Sequence, residues 1–148
     1  MKKILFLEDD PDQAESIEEL LGRAFPNKEI VTCATESELL ETIGIIAVGD
    51  LYFAVLDAMV PWCFPSEDMP IPPKDVQSEG IRYAGKRCLG QIRRKYGDDL
   101  PISIYSVLST EGHGVAQQKN TFVLEKEPGH EGLIESIKTV ISGDQNTP

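Results

Sequence analysis

The sequence is short of the residues that build covalent staples, metal cages and membrane anchors. Its three cysteines, Cys33, Cys63 and Cys88, are odd in number, far apart and linked by no CxxC or Cys/His pattern. That spacing argues against a disulfide framework and a zinc site, leaving reduced thiols as the expectation. The two histidines, His113 and His130, fall in polar turns without ligand spacing, so neither is assigned a metal. The opening run Ile4–Leu7 is only four residues long and meets Glu8-Asp9-Asp10 at once, too little for the apolar segment of a signal peptide. No other run approaches the roughly 20 apolar residues that span a bilayer. Basic residues are scarce too: 14 Lys+Arg against 25 Asp+Glu give a net charge of −11, unsuited to a phosphate backbone or an anionic membrane surface. A cytoplasmic protein is expected, with no direct nucleic-acid or membrane partner.

What is present is alternation. The 148 residues suffice for one domain with a full core. Lys3–Leu7 reads as a strand buried on both faces. Asp10-Pro11 supplies an N-cap and a first-turn proline for a helix carrying Ala14, Ile17, Leu20, Leu21 and Ala24 inward. Glu29–Cys33 is a second strand, and Thr35-Glu36-Ser37-Glu38 is a capping box opening a helix with Leu39, Leu40 and Ile43 inward. Tyr52–Leu56 is a third strand. Residues 61–79 hold five of the ten prolines and are expected to form no regular helix. Helical spacing resumes with Ile81, Ala84, Cys88, Leu89 and Ile92, where Gly85 and Gly90 point to close packing or looseness. Pro101–Ser106 is a fourth strand, followed by a short polar helix or turn over 111–118. Phe122–Glu125 is a fifth strand, and Leu133, Ile134, Ile137, Val140 and Ile141 line a last helix before a flexible tail at 143–148. Five buried strands separated by helices predict a doubly wound α/β fold, a parallel sheet covered on both faces.

In such sheets ligands bind beyond the carboxyl ends of the strands, at the switch point of the strand order. Those ends carry Glu8, Asp9 and Asp10 after the first strand, Asp57 after the third, Ser106 after the fourth and Lys126 after the fifth. Two carboxylates 4 Å apart repel by about 4 kcal/mol at an effective dielectric near 20, so the cluster calls for a counterion. A hard divalent cation, Mg²⁺, suits oxygen ligands of this kind. Asp10, ahead of Pro11, is better explained as an N-cap than as a ligand.

With these residues in place, the sequence resembles the receiver (phosphoacceptor) domain of two-component response regulators. The acidic pair matches Glu8 and Asp9, the phosphoacceptor and its downstream proline match Asp57 and Pro61, the hydroxyl matches Ser106 and the lysine matches Lys126. The resemblance runs from Lys3 to Ile141 and implies a flavodoxin-like (CheY-like) five-stranded sheet of order 2-1-3-4-5. It implies a domain over 1–142 with a proline-rich insertion at 61–79. It further implies phosphoryl transfer to Asp57 from a sensor histidine kinase or phosphotransfer protein in a phosphorelay. Mg²⁺ would be held by Glu8, Asp9, Asp57 and the Met59 carbonyl, with Lys126 and Ser106 on the phosphoryl oxygens. No sequence is left for an output domain after the last helix, so the expected readout is a downstream protein target or a homodimer face. A phosphorylation-independent adaptor and a Mg²⁺-dependent aspartyl-phosphate phosphatase are the alternatives. The phosphatase would want an acid where Met59 stands.

Several positions depart from the family pattern. Glu127 separates Lys126 from Pro128, Val107 follows the hydroxyl where a small residue is usual, and Val123 takes the place of an aromatic switch, with Phe122 and Tyr105 nearby. Met59 and Leu108 are apolar where a hydrolytic water passes, which predicts slow self-dephosphorylation. Trp62-Cys63-Phe64 opens the proline-rich segment, expected to fold back on its own domain. Residues 81–96 carry Arg82, Lys86, Arg87, Arg93, Arg94 and Lys95 with no acid, expected to be a solvated helix face and, secondarily, a dock for an acidic partner.

Overall fold

The computed structural model describes residues 1–66, 68–69, 71–107 and 118–145. The polar helix or turn expected over 111–118 falls almost entirely outside the described residues, as do Leu108 and His113. In chain order the elements are β1 (Lys3–Leu7), α1 (Pro11–Ala24), β2 (Glu29–Cys33), α2 (Glu36–Ile45), β3 (Leu51–Leu56), α3 (Lys74–Glu79), a 3-10 turn (Ile81–Tyr83), α4 (Ala84–Tyr96), β4 (Ile102–Ser106), β5 (Thr121–Glu125) and α5 (Glu131–Gln145).

The strands form one parallel sheet in the order β2-β1-β3-β4-β5, with β1 paired on both sides. This is the flavodoxin-like order, whose switch point lies between β1 and β3. Alternate strand residues feed two cores. Leu5, Leu7, Ala54, Leu56, Ile102 and Ile104 pack under α2 and α4, on Leu39, Ile43, Cys88, Leu89 and Ile92. Ile4, Phe6, Phe53, Val55 and Tyr105 pack under α1 and α5, on Ile17, Leu21, Leu133 and Ile137. Burial on both faces is why these strands read as unbroken apolar runs. No helix of the described residues is long and apolar enough to cross a membrane. All three cysteines are free.

Local signals fix the helix starts. Asp10 caps α1, accepting from the Asp12 and Gln13 amides, with Pro11 as the first helical residue. Thr35 Oγ1 accepts from the Glu38 amide, but the return bond from Glu38 goes to the Ala34 amide, one residue earlier than in a standard capping box. The last helix continues to Gln145, into the stretch expected as tail.

Three expectations need correction. Residues 61–79 do contain a helix, α3, because their prolines end at Pro73, which occupies the N-cap position and leaves Lys74–Glu79 free of them. Ile81 is not on the inward face of α4: it lies in the 3-10 turn, more than half exposed. The basic helix is likewise only partly solvated. Arg87 forms a buried two-pronged ion pair with Glu36, at 2.9 and 2.8 Å. Arg93 donates to the carbonyls of Gly97, Leu100, Lys119 and Asn120, and Lys95 to that of Ile43.

Candidate functional site

The end of β1 and the end of β3 lie side by side, so Glu8 and Asp57 emerge together. The Glu8 amide donates to the Cys33 carbonyl and the Asp57 amide to that of Leu7, which extends the sheet's pairing to the carboxylates themselves. Glu8 is buried, Asp57 nearly so, and Asp9 half-buried at the mouth. One carboxylate oxygen from each of the three lies within 4.8 Å of the others.

Lys126, just beyond β5, reaches into this group. Its backbone amide donates to the Ser106 carbonyl at 2.8 Å, which ties the end of β5 to the end of β4. Its Nζ donates to Glu8 Oε1 at 2.7 Å and to Asp57 Oδ2 at 2.9 Å. Asp57 Oδ1 accepts from the Met59 amide at 3.1 Å, an Asx turn that fixes the carboxylate's rotation. One cation against three carboxylates leaves the site negative. Burial, aided by the facing Asp57 carboxylate and opposed by Lys126, pushes the Glu8 carboxyl up to about 8. Burial and the Asp57 charge also raise Asp9. Burial works against the Lys126 ammonium, but its bonds to Glu8 and Asp57 together raise its pKa.

Glu8 Oε2 is buried and has no hydrogen-bond partner. A buried carboxylate oxygen with nothing to accept, facing two more carboxylates, fits a hard divalent cation with oxygen ligands. The side chains border a cavity of about 330 Å³ whose wall also includes Gln13, Val60, Pro61 and Ser106. Exposed Ile81 and Val107 rim it.

The sequence-derived residues Glu8, Asp9, Asp57, Met59, Ser106 and Lys126 therefore share one cavity. Asp10 also borders it, but its side chain caps α1. Two contributors to the cavity wall, Gln13 and Ile81, were not anticipated. Gln13 joins the wall, its Nε2 held at 3.4 Å by Asp10 Oδ2, a position the Asp10 cap determines. Ile81 arrives because Gly80, at φ 75°, turns the chain between α3 and the 3-10 turn. Outside this cavity, His130, expected in a polar turn, is buried, with Nδ1 2.7 Å from the Tyr105 hydroxyl. The dipeptide Pro128-Gly129 was the available signal for that turn.

Neither family models nor curated proteins match this sequence. Solved structures do. A response regulator protein from Thermotoga maritima, solved in complex with Mg(2+)-BeF, superposes with a TM-score of 0.59 at 22% identity over 95% of this chain and 99% of its own. A CheY-like response regulator receiver domain protein from Methanospirillum hungatei JF-1 gives 0.68 at 18% identity, over 98% and 97%. A chain from the complex of the P1 domain of CheA3 with CheY6 of R. sphaeroides gives 0.60 at 15%, over 95% and 97%. At these identities the likeness establishes the fold, and it is that of response-regulator receiver domains.

Proposed function

We propose that this chain is a response-regulator receiver: Asp57 accepts a phosphoryl group from a histidine kinase or phosphotransfer protein, and the change is read by a protein partner. The observation that carries this reading is Lys126 Nζ bridging Glu8 and Asp57 beside an orphaned carboxylate oxygen, at the switch point of a receiver-type sheet. The superposition on a receiver solved with Mg(2+)-BeF, and on a chain from a complex with a CheA P1 domain, supports the metal and the kind of donor. A cytoplasmic setting suits such a donor.

In the proposed step an Asp57 carboxylate oxygen attacks phosphorus, the P–N bond of the donor phosphohistidine breaks, its electron pair stays on the imidazole, and an acyl phosphate forms. Such transfers depend mainly on positioning and on neutralising the equatorial oxygens. Lys126 is within reach of one oxygen once it leaves the carboxylate, and the Ser106 hydroxyl, at the cavity wall, is assigned another. A Mg²⁺ ion held by Glu8, Asp9, Asp57 and the Met59 carbonyl would supply the remaining charge neutralisation.

The test is incubation with Mg²⁺ and a small phosphodonor such as phosphoramidate. The expected result is an acid-stable, base-labile phosphate that is absent from Asp57→Asn. Rapid turnover of donor without accumulated label would make the protein a phosphatase. No label under any donor would leave a phosphorylation-independent adaptor and overturn the proposal.

A further inference from the structure

Beyond Lys126 the chain turns sharply. Glu127-Pro128-Gly129-His130 is a β-turn in which the His130 amide donates to the Glu127 carbonyl, with Gly129 at φ 85°. Proline at the second position and a left-handed glycine at the third are the marks of type II. His130 itself is left-handed at φ 57°, a conformation that a histidine adopts at a cost unless something holds it. What holds it is Tyr105, buried on β4 next to Ser106: its hydroxyl lies 2.7 Å from His130 Nδ1 and accepts from the Glu127 amide at 3.3 Å. A hydroxyl that accepts the amide proton still has its own proton to give, and Nδ1 of a neutral imidazole, the form that burial favours here, can accept it.

We infer that Tyr105 and His130 are positioning residues for the Asp57 site, clamping the Glu127 backbone so that Lys126 is held across Glu8 and Asp57. This rests on the receiver reading for its consequence and not for its geometry. Lys126 is gripped on two sides: its own amide is bound to the Ser106 carbonyl, and the next amide to the Tyr105 hydroxyl. Ser106 and Tyr105 are adjacent on β4, so one strand end fixes both the hydroxyl and the lysine of the site. The Glu127 carboxylate also accepts from the Gly132 amide, which fastens the turn to the first residues of α5.

The neutral ring gives the clamp its full set of bonds. On the imidazolium Nδ1 would carry a proton, and the buried Tyr105 hydroxyl would lose its acceptor. Among the described residues, burial disfavours the imidazolium first, then the charge of Lys126, while Glu127 favours it. β4 presents Tyr105 to the ring, and α1 presents the uncharged Gln13 to a second cavity that His130 borders with Lys126 and Glu127.

Two readouts test the clamp. In lysine-labelled protein with EDTA, the Lys126 side-chain methylene resonance, assigned through Lys126→Arg, reports the amine without any phosphate chemistry. In Tyr105→Phe that resonance is expected to move toward free lysine, and Asp57 labelling by phosphoramidate to slow about tenfold, at temperatures where the circular dichroism still matches wild type. In His130→Asn the amide oxygen takes the place of Nδ1, tolerates the left-handed backbone and does not titrate. Its rate at pH 7.5 should match wild type, and the ratio of variant to wild-type rate should rise as the pH falls below 6.5. A Lys126 resonance and a labelling rate both unchanged in Tyr105→Phe would overturn the inference. Should wild type take no label while the resonance still moves, the receiver reading fails and the clamp stands.

Discussion

At the scale of single residues, Glu8 carries the sharpest consequence. Its carboxyl titrates near 8 in the folded chain against 4.5 ordinarily, because burial and Asp57 outweigh Lys126. An acid with a raised folded pKa binds more protons folded than unfolded. Its contribution is therefore complete below about 4.5 and lost as the pH rises through about 8. In EDTA the wild-type melting temperature is expected to fall between about pH 5 and about pH 9 relative to Glu8→Gln, which keeps the shape and does not titrate. Parallel melting curves across that range would mean that Glu8 is ionised throughout. Met59 makes a second residue-level case. It gives its amide to Asp57 and an apolar side chain to the cavity, and a thioether side chain cannot orient a hydrolytic water. The aspartyl phosphate should persist for minutes or longer, and Met59→Asn should shorten its life about tenfold, the worth of one hydrogen bond of about 1.4 kcal/mol. A wild-type lifetime of seconds, followed by loss of radiolabel, would sink this expectation.

At the scale of elements, α4 bears on the candidate site through the backbone at the end of β3. A Cβ on Gly85 would sit 2.5 Å from the Asp57 carbonyl oxygen and 2.8 Å from Ala58 Cα, whereas one on Gly90 meets nothing within 4 Å. Gly85 is therefore required by close approach to the backbone of Asp57, and Gly90 by nothing visible. Gly85→Ala should destabilise by about 1–3 kcal/mol through overpacking and also slow labelling, while Gly90→Ala should gain up to about 1 kcal/mol from helix propensity. Thermal melts of the two variants decide it. The same helix anchors α2: Arg87→Met would strand buried Glu36 and should cost about 3–5 kcal/mol. The sequence made the glycines suspect but could not tell them apart, since the difference lies in what β3 places opposite. Apolar runs and helical spacing made the five strands, the four long described helices and the strand-end residues legible, because each reports its own burial. Legibility failed where a partner is distant in sequence. The Arg87–Glu36 pair, the Arg93 carbonyl cluster and the Tyr105–His130 contact join segments that only the folded sheet brings together.

At the scale of the molecule, the net charge of −11 is general, but the demand for a cation is local. Any salt screens surface charges within a Debye length of about 8–10 Å, so an acidic protein gains a little stability from KCl alone. The trio Glu8, Asp9 and Asp57 is different in kind: its oxygens lie within 4.8 Å, and one of Glu8's is buried and unpartnered. An ion that binds only the folded trio stabilises by mass action, about 2.7 kcal/mol at a hundredfold excess over its dissociation constant. In a chain of this size that is a rise in melting temperature on the order of 5–10 °C. MgCl₂ should produce this rise, and KCl at matched ionic strength should not. Asp9→Asn, which removes one carboxylate of the trio while leaving the Lys126 bridge intact, should abolish most of the Mg²⁺ effect and leave the KCl response unchanged. Equal responses to the two salts, or an Asp9→Asn protein that still responds to MgCl₂ alone, would assign the stabilisation to the overall charge and remove the trio as a metal centre.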